Sequence, residues 1–192
     1  NWDNKVSGLS VSSDVLYWVD AQEDKSIGTN TWASKKTISS QMVVASDFEG
    51  GTTQETLSLN NYVSFNSQVG CETNSSLTQA ATFTIFIVAY LRNTFETEGT
   101  IFKHNNIVLK LKTLNNWDSV AKNRVGLFDD STYCRGTTID TFDTTYLICI
   151  QPDYIYVSGY NEGYSHAAGT WTSGDAKIFI GNNNDGTNTN SN

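Results

Sequence analysis

Two histidines, three cysteines, one proline and no long apolar run are what the 192 residues offer. Without a run of about 18 apolar residues, no helix of the chain spans a bilayer, and no membrane insertion is expected. The longest apolar-rich stretch, Phe83–Leu91, has the length of a strand. No basic segment followed by an apolar one opens the chain, so no signal peptide is visible, which leaves secretion open. No CxxC pair occurs, which argues against a zinc site. An odd cysteine count cannot pair completely within one chain. Cys149 lies inside the apolar "YLICI" and reads as a small buried hydrophobe. Cys71 and Cys134 leave both a disulfide and two thiols open. Free thiols fit folding in a reducing cytosol. Cations are scarce as well: 12 basic residues face 20 acidic ones, for a net charge of −8. The one local basic cluster runs from Lys103 to Lys112 with His104 between, and apolar residues dilute it. A nucleic-acid partner is therefore not expected.

The usual nucleophilic sets are missing too. His104 and His166 are the only histidines, and no G-x-S-x-G turn exists for a serine nucleophile. Cys134 with His166 is the one conceivable thiol–imidazole pair. His166 sits in a Gly/Tyr-rich loop and reads as a solvated side chain. No glycine-rich phosphate loop is present.

What is present is strand pattern. Apolar residues make up 38% and aromatic residues 12%, too much for a disordered chain. The length suits one domain spanning residues 1–192. No long 3.6-residue apolar period with caps occurs. Strands are predicted at 14–20, 41–48, 62–65, 82–91, 99–104, 106–112, 124–128, 146–150, 154–160 and 176–181. Asn, Asp, Gly, Ser and Thr clusters between them favour turns. The class is all-β, an antiparallel two-sheet sandwich. In "YLICIQPDYIYVSGY" the segment Gln151-Pro152-Asp153 reads as a hairpin turn, because proline presets φ and needs no donor. Residues 82–91 and 146–150 are apolar on both faces. A strand facing water on one side alternates, so these two are expected to lie centrally in a sheet covered on its outer face as well, by a third small sheet, long loops or a neighbouring subunit. Trp18 and Trp32 are assigned to packing. No internal repeat occurs, and the polar segment 182–192 reads as a flexible tail.

The order of pieces carries a resemblance. "VLYWVDA", "TWASK", "LNNYVSFNS", "FTIFIVAYL", "GTIFKHNN", "VGLFDD", "YLICIQPDYIYVSGY" and "AKIFIGNNNDG" follow one another along most of residues 14–186. This series resembles the concanavalin A-like, laminin-G-like jelly-roll superfamily. It looks most like the versions in bacteriophage structural proteins (tail, fibre or capsid-decoration) and in bacterial carbohydrate-recognition modules. The resemblance implies a jelly-roll sandwich. Two departures stand out. The hairpin ends in "YVSG", with Ser158 where the family often has Asn. The "I-G-N" segment is followed by polar residues where the family has another apolar strand, so a longer chain or a partner is expected to complete the sheet.

The superfamily includes glycoside hydrolases, which need two carboxylates about 5–5.5 Å apart for retention. Glu96 and Glu98 in "FETEGTIF" are the nearest candidates, and they read as a solvated loop. Asp129 and Asp130 are adjacent and would point to opposite faces of a strand. Asp140 and Asp143 lie in a Thr-rich loop. Relatives often hold calcium on a loop rim, which makes Asp129, Asp130 and Asp185, with Asn182 beside it, the calcium candidates. "SGYNEGYSHAAGTW" (158–171) is the richest binding stretch, with Tyr160, Asn161, Tyr164, His166 and Trp171. Trp117 in "LNNWDS" is a further exposed-looking aromatic. Aromatic faces stack on sugar C–H surfaces while amides take hydroxyl hydrogen bonds. The expected function is a non-catalytic recognition or structural module of a virion, binding a cell-surface or matrix polysaccharide or receptor, or decorating the particle. Such a module is expected on the virion surface after assembly in host cytoplasm, as a homo-oligomer that also meets other structural subunits of the same assembly. The alternatives are a carbohydrate-binding module of a secreted bacterial protein, hence extracellular, and a glucanase-type hydrolase.

Overall fold

Every regular element that the structure describes is a β-strand. The structure is a computed structural model. It describes residues 16, 31–33, 41–44, 52–57, 60–65, 70–91, 99–112, 124–130, 132–139, 141–158, 164–165 and 169–183. In chain order the strands are β1 (Thr31–Ala33), β2 (Gln41–Val44), β3 (Thr52–Leu57), β4 (Asn60–Phe65), β5 (Gly70–Thr73), β6 (Leu77–Gln79), β7 (Ile85–Leu91) and β8 (Gly99–His104). There follow β9 (Ile107–Lys112), β10 (Arg124–Asp129), β11 (Thr132–Thr138), β12 (Thr144–Gln151), β13 (Tyr154–Val157), β14 (Tyr164–Ser165), β15 (Gly174–Ala176) and β16 (Ile178–Asn183). The expected strand at 14–20 lies outside the described residues except for Leu16, which is exposed and in no strand.

All pairings are antiparallel. A nine-stranded sheet has the order β1-β2-β5-β16-β8-β9-β10-β11-β14. A three-stranded sheet has the order β13-β12-β7, and two further ribbons pair β15 with β6 and β3 with β4. The last described strand, β16, lies between β5 and β8, far from its sequence neighbours. The described part is thus all-β and consistent with a β-sandwich.

The core forms where the two larger sheets meet. Ile107, Leu109, Leu111, Val125 and Leu127 project from the nine-stranded sheet, and Leu91, Tyr146, Ile148, Ile150, Ile155 and Val157 from the three-stranded one, into one cluster. Each fully buried Ile, Leu or Val contributes about 1.5–3 kcal/mol from the apolar surface it hides. The buried Tyr146 keeps its hydroxyl satisfied by donating to the Thr141 carbonyl.

Three side chains tie the layers together. Arg135 of β11 donates from Nη1 to the carbonyl of Asp153, in the β12–β13 turn. The indole Nε1–H of Trp171 donates to the neighbouring carbonyl of Pro152 at 2.9 Å. That turn has two residues, since Gln151 pairs with Tyr154, and neither Pro152 nor Asp153 has a positive φ. Two-residue hairpins favour the mirror-image turns that proline cannot adopt at the first position. The two external hydrogen bonds hold the less favoured turn in place. The buried His104 places Nε2 3.0 Å from the carbonyl of Leu77, pinning the β6–β15 ribbon to β8. The β8–β9 turn is Asn105-Asn106, with Asn105 at φ 49°, a left-handed conformation that asparagine tolerates.

Candidate functional site

The register of β7, β12 and β13 sorts their side chains into two faces. Ile85, Ile87, Ala89 and Leu91 point with Ile148, Ile150, Ile155 and Val157 toward the core. The alternate positions point away from it. They form rows across the sheet: Val88 opposite Leu147, then Phe86 opposite Cys149 and Cys149 opposite Tyr156, then Gln151 opposite Tyr154. Tyr90 stands opposite Thr145 at one end.

This outward face is exposed. Phe86 keeps 69% and Val88 73% of its surface open, and Tyr90, Leu147, Tyr154 and Tyr156 are exposed as well. Cys149, between Phe86 and Tyr156, is half-buried. No charged residue stands in these rows. The rim is polar: Gln151 Nε2 donates to Thr84 Oγ1 at 3.2 Å, and the Ser158 hydroxyl accepts from the Leu147 N–H at 3.0 Å. Ser158 thereby extends the β12–β13 ladder past its last pair, and its own N–H donates to the Leu147 carbonyl.

The expectation for β7 and β12 is met in part. β12 is central, whereas β7 has a described neighbour only on its β12 side. Among the described residues the outer-face side chains stand exposed in the single chain, and a neighbouring subunit is one of the expected covers. The strands are apolar on both faces because one face packs the core and the other presents an apolar surface to solvent. Monomeric proteins seldom leave such a face bare, and contiguous apolar patches of several hundred Å² mark interaction sites.

The loop candidates fare differently. Trp171 packs its ring edge-on against Phe83, with centroids 5.5 Å apart, and sits against the core cluster. Gly169 lies so close beneath it that a β-carbon there would collide with the indole. With its N–H given to Pro152, Trp171 serves the sandwich edge. Tyr164 is described only as backbone in β14, against Gly136 of β11. Trp117, Tyr160, Asn161 and His166 lie outside the described residues, as do Trp18, Glu96, Glu98, Asp140 and Asp185. Trp32 lies in β1, opposite Met42 of β2.

Asp129 has both carboxylate oxygens engaged. Oδ1 accepts from Asn106 Nδ2 at 2.8 Å and Oδ2 from the Thr170 N–H at 2.7 Å. Asn106 Nδ2 also donates to the Thr170 carbonyl, so the three residues stitch the segment 170–172 onto the β8–β9 turn. Asp130 occupies a turn with φ 50° and donates its N–H to the Asn106 carbonyl. Asp175 accepts from Thr78 at 2.6 Å, and Glu72 pairs with Lys177 at 2.6 Å. Among the described residues no three His, Cys, Asp or Glu gather in a group that could hold a metal.

All three cysteines are free thiols. Cys71 and Cys134 are buried, and Cys134 donates weakly to the Thr132 carbonyl. Burial pushes the Cys134 and Cys149 thiols up from their ordinary pKa, which keeps both mostly protonated at neutral pH. Of the basic cluster, Lys103 pairs with Val108 on the sheet face away from the core, whereas His104 turns inward beside Ile107. Strand pleating splits in space what is contiguous in sequence.

The residues that sequence reasoning passed over are Phe86, Val88, Tyr90, Leu147, Tyr154 and Tyr156. For Phe86, Val88, Tyr90 and Leu147 the signal was present in the two-sided apolar strands. Comparison of the chain with protein-family models, with curated proteins and with solved structures finds no match in any of the three.

Proposed function

We propose that the chain is a non-catalytic recognition and assembly module, acting through the outer face of the three-stranded sheet. One observation carries the reading: six large apolar side chains, Phe86, Val88, Tyr90, Leu147, Tyr154 and Tyr156, stand exposed on one charge-free sheet face. A face of that kind gains free energy only when a partner covers it. The proposed architecture is a jelly-roll sandwich. It is supported by the two sheets sharing one core and by the insertion of β16 between β5 and β8. The proposed setting is a virion or comparable particle, of the tail, fibre or decoration type that the sequence resembles. The three free thiols fit assembly in a reducing cytoplasm.

A second reading is carbohydrate binding. It rests on the tyrosines: Tyr90, Tyr154 and Tyr156 offer flat faces with hydroxyl handles, and Gln151 adds an amide at the rim. The test compares wild type with Val88→Glu on a glycan array and by light scattering. The proposal expects wild type to bind a glycan or to self-associate, and the variant to lose that binding while staying folded. Binding that survives the charge undiminished would place the site elsewhere.

A further inference from the structure

Building on the reading of this face as the interaction surface, we propose that its occupant is a second copy of the chain. The two copies pack face to face about a two-fold axis that passes near Cys149.

Area, charge and row geometry point there. The six exposed side chains present roughly 500–600 Å² of apolar surface per copy, on the scale of 150–250 Å² per aromatic side chain. Two copies would bury about 1,000–1,200 Å², which reaches the threshold of a specific interface. The chain carries a net charge of −8, so a second copy is repelled by most of the surface. The charge-free rows of β7, β12 and β13 are where that repulsion is weakest, since the screening length is about 8 Å at physiological salt. A basic partner would find no acid in these rows. An apolar, uncharged surface matches itself best.

The position of the axis follows from the rows. Cys149 has Phe86 on one side and Tyr156 on the other, and it lies two residues from Leu147 on the same face of β12. It is the smallest side chain at the middle of the patch. In an isologous contact the centre of the patch meets itself, so the two Cys149 residues face each other. Packed sheets stand about 10 Å apart, beyond the reach of a disulfide, whose Cα atoms lie about 4.4–6.8 Å apart. The pair is therefore not joined directly, but a short bis-maleimide bridges it. Each thiol adds its sulfur and proton across one maleimide double bond, and no oxidant is involved.

Sedimentation and cross-linking test this together. At tens of micromolar, wild type sediments as a dimer, and the bis-maleimide yields a covalent dimer. Cys149→Ser still sediments as a dimer and gives no covalent one. Val88→Glu and Tyr156→Glu sediment as monomers, unfold as wild type does when diluted to a monomer, and do not cross-link. A wild-type monomer at 100 micromolar overturns the inference, as does a trimer, or a dimer that neither glutamate dissociates. A monomer whose glycan binding is abolished by Val88→Glu overturns the dimer alone and leaves the face as the site. A monomer in which neither glutamate changes any binding overturns both.

Discussion

Cys149 stands directly opposite Phe86 in the β12–β7 ladder, and both side chains leave the sheet on the side away from the core. One residue further on, Ile148 stands opposite Ile87 and both point inward. A shift of register by one residue would exchange these faces completely. The two faces of β12 therefore make different predictions.

The inner face carries stability. Ile148 is fully buried among core residues of both sheets. Ile148→Ala is expected to cost about 2–5 kcal/mol, from lost transfer energy and the cavity left behind. Urea unfolding measures it as a lower midpoint at unchanged slope.

The outer face carries none. Val88→Glu and Leu147→Glu replace side chains that are already exposed, so stability shifts by less than about 0.5 kcal/mol where no partner is bound. Thermal unfolding at low protein concentration should superimpose the variants on wild type. A loss comparable to that of Ile148→Ala would mean the face is buried within the chain itself.

The Pro152-Asp153 turn depends on its two external donors. Trp171→Phe keeps the ring against Phe83 but strips the N–H that reaches Pro152. The expected cost is about 1 kcal/mol, the net worth of one hydrogen bond. Hydrogen exchange at the β12–β13 hairpin should rise in this variant while exchange in β9 and β10 stays as it was.

His104 makes stability depend on pH. Burial pushes its imidazole below the ordinary value, partly offset by the carbonyls of Leu77 and Ala176. The unfolded chain then binds the proton more readily than the folded one. Stability is greatest above the unfolded value of about 6.5, and it falls as pH drops from there toward the folded value. Unfolding free energies measured between pH 7 and pH 5 should decline in wild type and decline less in His104→Gln. Parallel slopes would remove His104 from the account.

Strands with an apolar pattern of five residues or more were legible in sequence: 99–104, 106–112, 124–128 and 146–150 all appear within a residue or two. β5, β6, β14 and β15 have two to four residues, less than a readable alternation, and their pairing is decided by neighbours. β11, "TYCRGTT", was hidden for another reason. It buries Arg135 and Thr137, because Arg135 spends its charge on the far sheet rather than on solvent. The site was half legible. Two-sided apolar character picked out β7 and β12, but sequence cannot tell a covered outer face from a bare one. Aromatic residues in Gly/Ser/Asn loops drew the site reading to 158–171; of these Trp171 packs the sandwich edge, while Tyr160, Asn161 and His166 lie outside the described residues.

The central claim is that the chain leaves the outer face of β12 open, and Cys149 reports on it directly. Maleimide labelling of folded, monomeric Val88→Glu, read by intact mass and peptide mapping, should modify Cys149 well before the buried Cys71 and Cys134. Labelling of Cys149 as slow as that of the two buried thiols would contradict the account.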